Sequence, residues 1–102
     1  MALSKWIPEN DPAILRRIGK TGEEAAELGK VCSRITIQGL AGRDPVSGVS
    51  NIHALMDELA DVQAQIGCCV QQFDLDQEYM ARRTAEKIRQ MREWEAMFRV
   101  PA

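Results

Sequence analysis

Aromatic residues are scarce in this chain: two Trp, one Tyr and two Phe among 102 residues. Aliphatic side chains and Met must therefore fill whatever core it has, and Trp6 and Trp94 read as packing or interface residues rather than base-stacking platforms. Histidine occurs once, at His53, which reads as an exposed first-turn residue. The three cysteines, Cys32, Cys68 and Cys69, form neither a C-x-x-C pair nor a Cys/His zinc spacing, which excludes a structural zinc site. They read as reduced thiols in small apolar or helix-face positions. No stretch approaches the roughly 20 apolar residues of a bilayer span, and no apolar run follows a basic N-terminal start. The expectation is an intracellular, cytoplasmic, soluble protein with no membrane partner. Basic charge is not in excess either: 13 Lys and Arg against 15 Asp and Glu leave a formal charge of −2, which argues against a nucleic-acid polymer as partner. Basic residues do gather near the C-terminus, from Arg82 to Arg99.

The apolar share, 45%, is that of an ordered globular chain, and the length is that of one domain. An irregular lead-in, residues 1–10, precedes a helical domain over residues 11–98, and residues 99–102 form a short tail. Asp11-Pro12 is a helix opening, with Asp as N-cap and Pro at the first helical position. Ile14, Leu15, Ile18, Ala25, Leu28, Cys32 and Ile35 then recur near helical spacing. Gly19 and Gly22 weaken this segment and predict a break or kink there, with Thr21 capping a second helix. Gly39 is the expected stop. Residues 39–50 (GLAGRDPVSGVS) hold three of the seven glycines and Pro45 and read as a loop, of a length that is often functional. Ser50 or Asn51 caps the next helix, whose stripe runs Ile52, Leu55, Met56, Leu59, Val62, Ile66, Val70 and Phe73. Asp76 caps a last helix from about Gln77 to Phe98, with Met80, Thr84, Ile88, Met91, Trp94 or Glu95, and Phe98 on its stripe. No strand-like alternation occurs. The fold class is all-α, a helical bundle of three to four helices.

Two acidic motifs stand out. In Glu23-Glu24-x-x-Glu27 the last residue lies three or four positions from the others, and in Glu58-x-x-Asp61 the spacing is three, so each set shares a helix face. On a helical wheel Glu24 falls inside the apolar stripe and Glu58 flanks its own, which turns carboxylates of two helices toward each other. Like charges so placed oppose folding unless something neutralises them. Carboxylates without His or Cys suit Mg²⁺ or Mn²⁺, hard cations shared between protein oxygens and substrate phosphates.

The paired motifs, Glu23-Glu24-Ala25-Ala26-Glu27 and Glu58-Leu59-Ala60-Asp61, resemble the E-E-x-x-E … E-x-x-D signature of the MazG-like, all-α nucleoside triphosphate pyrophosphohydrolases. Thr21 to Leu28 looks like that family's first motif helix, and Asn51 to Asp61 like its second. The resemblance covers roughly Ala13 to Trp94, and the 30 residues between the motifs, 28–57, make a long gap. It implies that Glu24, Glu27, Glu58 and Asp61 bind Mg²⁺, with Mn²⁺ as a substitute. Glu23 or Glu27 is then the catalytic carboxylate that orients a water or accepts its proton. Lys87 matches a phosphate-binding lysine, with Arg83 one turn earlier and Arg92 nearby as further phosphate-binding candidates. The implied reaction cleaves an NTP or dNTP between its α and β phosphates, giving the monophosphate and pyrophosphate. The implied assembly is a homodimer or dimer of dimers whose subunits complete a four-helix core. A phosphoribosyl-ATP pyrophosphohydrolase-like enzyme shares the architecture, and a non-catalytic helical interaction module retaining the fold is the alternative from another functional class.

Overall fold

Asp11 begins the first helix as expected: its carboxylate accepts from the backbone N–H groups of Ala13 (2.8 Å) and Ile14 (3.3 Å), with Pro12 at the first helical position. In the computed structural model, which describes residues 5–99, the elements are α1 (Pro12–Gln38), α2 (Asn51–Phe73) and α3 (Gln77–Ala96). Gly39 ends α1 at a φ of 85°, and its N–H caps the Ile35 carbonyl. Ser50 caps α2, its hydroxyl accepting from the His53 N–H. Asp74 in the left-handed region (φ 50°) turns the chain, and Asp76 caps α3 through the Tyr79 N–H. The architecture is all-α, as the sequence pattern implies. None of these helices is long and apolar enough to cross a membrane.

The break expected at Gly19–Gly22 does not form. α1 is continuous over 27 residues, and the Thr21 hydroxyl donates back to the Arg17 carbonyl (2.8 Å) instead of capping a new helix. Each glycine costs a helix about 1 kcal/mol relative to Ala, and packing along α2 outweighs that local preference. The two helices run antiparallel: Asn51 at the start of α2 meets Gln38 at the end of α1, and Gln72 near the end of α2 meets Arg17. Their mutual seam follows a seven-residue rhythm. On α1 it comprises Ile14, Arg17, Thr21, Glu24, Leu28, Val31 and Ile35, and on α2 Asn51, Leu55, Glu58, Val62, Gln65 and Cys69, all buried or half-buried. Such 3,4 spacing is the pattern of helices packed lengthwise.

This seam divides the apolar stripes read from the sequence. Leu15, Ile18, Ile52, Met56, Leu59 and Ile66 are all exposed, between 46% and 56% of their surface. Each follows a seam residue by one position. Because the helices are antiparallel, that offset turns both rows to the same side of the hairpin. Val31 and Asn51 are the buried residues among those described. Helix α3 contributes no buried residue and is not packed along α1 or α2. Trp94 and Phe98 meet edge to face at 5.1 Å on that helix and its end. The radius of gyration, 18.3 Å, exceeds the roughly 13 Å of a closed domain of this length.

The loop at residues 39–50 is ordered by its own bonds. Arg43 and Ser50 form an isolated antiparallel bridge, the Gly48 N–H donates to the Asp44 carbonyl, and Asp44 receives the Val46 N–H at 2.8 Å and Arg34 of α1 at 3.7 Å. Asn51 holds both helix ends: its amide nitrogen donates to the Gly39 carbonyl (2.9 Å) and the Gln38 side chain (3.2 Å), and its N–H to the Gly42 carbonyl (2.9 Å). The cap of α2 is therefore Ser50, and Asn51 ties the start of α2 to the Gly39 carbonyl that follows α1 and to the Gln38 side chain.

Candidate metal centre

Seam positions are normally apolar, so a carboxylate there is held against its preference for water. Glu24 is such a residue. Its side chain is 17% exposed against 62% for its neighbour Glu23, because the seam rhythm turns position 24, not 23, toward α2. Glu58 occupies the facing seam position, and Asp61 follows it by three residues. The structure brings Glu24, Glu58 and Asp61 together, with one carboxylate oxygen of each within 4.8 Å of the others. Glu58 Oε2 is buried and receives no hydrogen bond from the described residues.

The electrostatics follow from this placement. Burial pushes the Glu58 carboxyl above the ordinary glutamate range, and the charges of Asp61, Glu24, Glu27 and Asp57 push it further. Glu23, Glu27, Asp57 and Asp61 each precede a seam residue by one position, which turns them to the side of the hairpin opposite the exposed apolar rows. One side of the α1–α2 layer therefore carries charge, acidic around the cluster, and the other is apolar.

The expected ligand set is only partly assembled. Glu27 is exposed and lies outside the converging three, although its charge acts on Glu58. Glu23 is also exposed and engages Lys20, whose ammonium lies 3.4 Å from both Glu23 Oε1 and Glu24 Oε1. The hydrogen bond to Glu24 and the charge of Glu23 hold the Lys20 ammonium above the ordinary lysine range. Lys20 was not legible as part of the site from the acidic motifs, but its four-residue spacing from Glu24 carries the signal. Arg83, Lys87 and Arg92 share one groove of about 530 Å³ along α3, with Thr84, Ile88, Met91 and Glu95. Residues of α1 and α2 do not line that groove, so one chain does not join these cations to the acidic cluster.

The donor set fits a hard divalent cation. It is all oxygen, comes from two helices of a continuous hairpin, and includes a buried oxygen that lacks a partner. His53 takes no part, being exposed and 3.6 Å from Asp57. The three cysteines are unpaired and lie apart from the cluster, Cys69 contacting the Thr21 hydroxyl at 3.3 Å. No family model, curated protein or solved structure matches the chain.

Proposed function

We propose that this chain is a Mg²⁺-dependent nucleotide pyrophosphohydrolase that cleaves an NTP or dNTP between the α and β phosphates and works as a homo-oligomer. The observation that carries this reading is the convergence of Glu24, from the first acidic motif, with Glu58 and Asp61, from the second, around a buried carboxylate oxygen without a partner. The resemblance of the two motifs to the MazG-like signature supplies the reaction class.

In this reading Glu24, Glu58 and Asp61 hold Mg²⁺ or Mn²⁺ in one site, and Glu27, one turn beyond Glu23, adds negative potential beside it. Bound Mg²⁺ supplies neutralisation of phosphate oxygens and a lowered pKa for a coordinated water. Glu23 and Glu27 are the carboxylates free to orient the attacking water or accept its proton. Lys87, Arg83 and Arg92 neutralise the leaving pyrophosphate only if an α3 helix from another copy crosses the acidic side, which ties catalysis to assembly. Nucleotide substrates and unpaired cysteines fit a cytoplasmic setting.

The test is Mg²⁺-dependent pyrophosphate release across a panel of common NTPs and dNTPs. The expected result is turnover of at least one nucleotide to its monophosphate and pyrophosphate. Loss of activity by about 100-fold or more is expected in Asp61→Asn, which keeps shape and removes a ligand charge. Orthophosphate release would contradict α–β cleavage. Mg²⁺ binding with no turnover in the panel would favour the non-catalytic interaction module.

A further inference from the structure

Beside the acidic cluster, on the same side of the hairpin, lies a groove of about 630 Å³ lined by Ala13, Arg16, Arg17, Lys20, Glu23 and Gln72. Three of its six lining residues are cations and one is an anion, so its charge is opposite to that of the cluster it adjoins. Lys20 belongs to both, its ammonium lying 3.4 Å from Glu24. The groove wall is fixed by side-chain bonds between the helices. Arg17 donates to Gln65 (2.8 Å) and to Gln72 (3.1 Å), and Gln72 donates in turn to the Ala13 carbonyl (3.3 Å). Arg16 makes no side-chain hydrogen bond or ion pair among the described residues, leaving its planar, five-donor guanidinium available to an oxyanion.

We infer that this groove is a diphosphate subsite: Arg16 and Lys20 hold the β- and γ-phosphoryl groups of the substrate, and the pyrophosphate they become, while the carboxylates hold the metal at the scissile end. The inference rests on the proposed hydrolase and deepens it by placing phosphate-binding cations on α1 of the same chain. At 1.5 Å rise per residue, Lys20 lies about 6 Å and Arg16 about 12 Å from Glu24 along the axis, so the cations extend in a row away from the cluster. A chain of phosphates laid along α1 meets metal, then ammonium, then guanidinium. Without ligand, Lys20 neutralises Glu23 and Glu24 in place of the metal. A divalent cation held by the carboxylates would take over that neutralisation and leave the Lys20 ammonium to the phosphates.

Calorimetric titration of the intact protein with inorganic pyrophosphate in saturating Mg²⁺ tests this directly. Arg16→Gln and Lys20→Gln should each weaken pyrophosphate binding about tenfold, the loss of one charge-assisted contact, with Lys20→Arg restoring most of it. Arg89→Gln, which removes an equal charge from a surface pair with Glu93, should leave it unchanged. Mn²⁺ affinity measured without pyrophosphate should be unaltered in Arg16→Gln and raised in Lys20→Gln, where a competing cation has gone. Unchanged pyrophosphate binding in both variants, or none by the wild type, overturns the subsite. If the wild type turns over a nucleotide and the variants keep its KM, the hydrolase stands and the subsite falls. If the wild type binds pyrophosphate through these residues but hydrolyses nothing, the subsite stands and the hydrolase falls.

Discussion

Glu58 sits where its own negative charge is disfavoured twice, by the seam that buries one oxygen and by the carboxylates around it. Its folded-state pKa lies above the value it takes in the unfolded chain, so the folded protein binds a proton there more tightly than the unfolded chain does. The sign of the linkage follows: this contribution to stability is fully present below the unfolded glutamate pKa and is lost as pH rises through the elevated folded value. Asp44 behaves oppositely. Its pKa is lowered, first by the Val46 N–H, and its contribution is lost only as pH falls through a value below the aspartate norm. The two windows do not overlap. Metal-free protein, melted in a chelator from neutral pH downward, should therefore gain thermal stability before losing it in strong acid. Glu58→Gln should raise the neutral-pH melting temperature and remove the gain on acidification. Saturating Mg²⁺ should likewise raise the wild-type melting temperature at neutral pH, by ligand linkage, and do so far less in Glu58→Gln. A Glu58→Gln melting profile identical to the wild type without metal would refute this electrostatic account.

At the scale of elements, the stop at Gly39 and the caps at Asp11 and Asp76 were legible because a cap is a local event, read from one side chain and two or three backbone groups. So was the approach of Glu24 to Glu58, since helical spacing puts both toward the partner helix, with Asp61 one turn beyond Glu58 at the edge of the seam. The continuity of α1 through Gly19 and Gly22 was not, because it depends on a neighbour 44 to 55 residues away, through the bonds of Arg17 and Thr21 to Gln65 and Gln72. The seam itself was blurred for the same reason. Residues such as Leu15 and Leu59 are as apolar as Leu28 and Val62, and only knowledge of which side meets α2 separates them. The loop illustrates a third case. Gly42 is required by a close approach: a Cβ there would lie 2.8 Å from the Gln38 carbonyl and 3.0 Å from the Asn51 amide nitrogen. Asn51 and Gly42 are therefore one device joining α1 to α2. Asn51→Ala should destabilise the fold by about 1–3 kcal/mol, the cost of stranding a buried partner. Gly42→Ala should also lower stability, by forcing that contact apart. Urea melts check both, and a Gly42→Ala protein as stable as wild type would show that the contact yields freely.

At the scale of the whole molecule, the α1–α2 layer has one charged side and one apolar side, and no described residue of the chain packs over the apolar side. Ile52, Met56, Leu59 and Ile66 of α2 and Leu15 and Ile18 of α1 are about half exposed, and α3 leaves Ile88, Met91 and Trp94 in the same condition. An apolar surface of this continuity on a monomer is unfavourable in water and marks an interface. Its shape suggests the occupant. Two antiparallel helices presenting one apolar face match half of a four-helix bundle, and a second copy related by a two-fold axis would supply the other half with the same residues. Closure in this way leaves the acidic sides outward, and it gives α3 of each copy a neighbour on which to fold. The expected species in light scattering at micromolar concentration is therefore a dimer or a dimer of dimers, with helical content lost in one concentration-dependent transition. Leu59→Asp tests the face itself. It places a charge at the centre of the apolar row, one position after Glu58 in the chain and on the side of the hairpin opposite Asp61. It should shift the protein to monomer and lower its melting temperature by at least several degrees, whereas Asp57→Asn on the acidic side should leave the assembly intact. A wild type that scatters as a stable monomer would leave the apolar rows to another partner and would remove the route by which Lys87 reaches the acidic cluster.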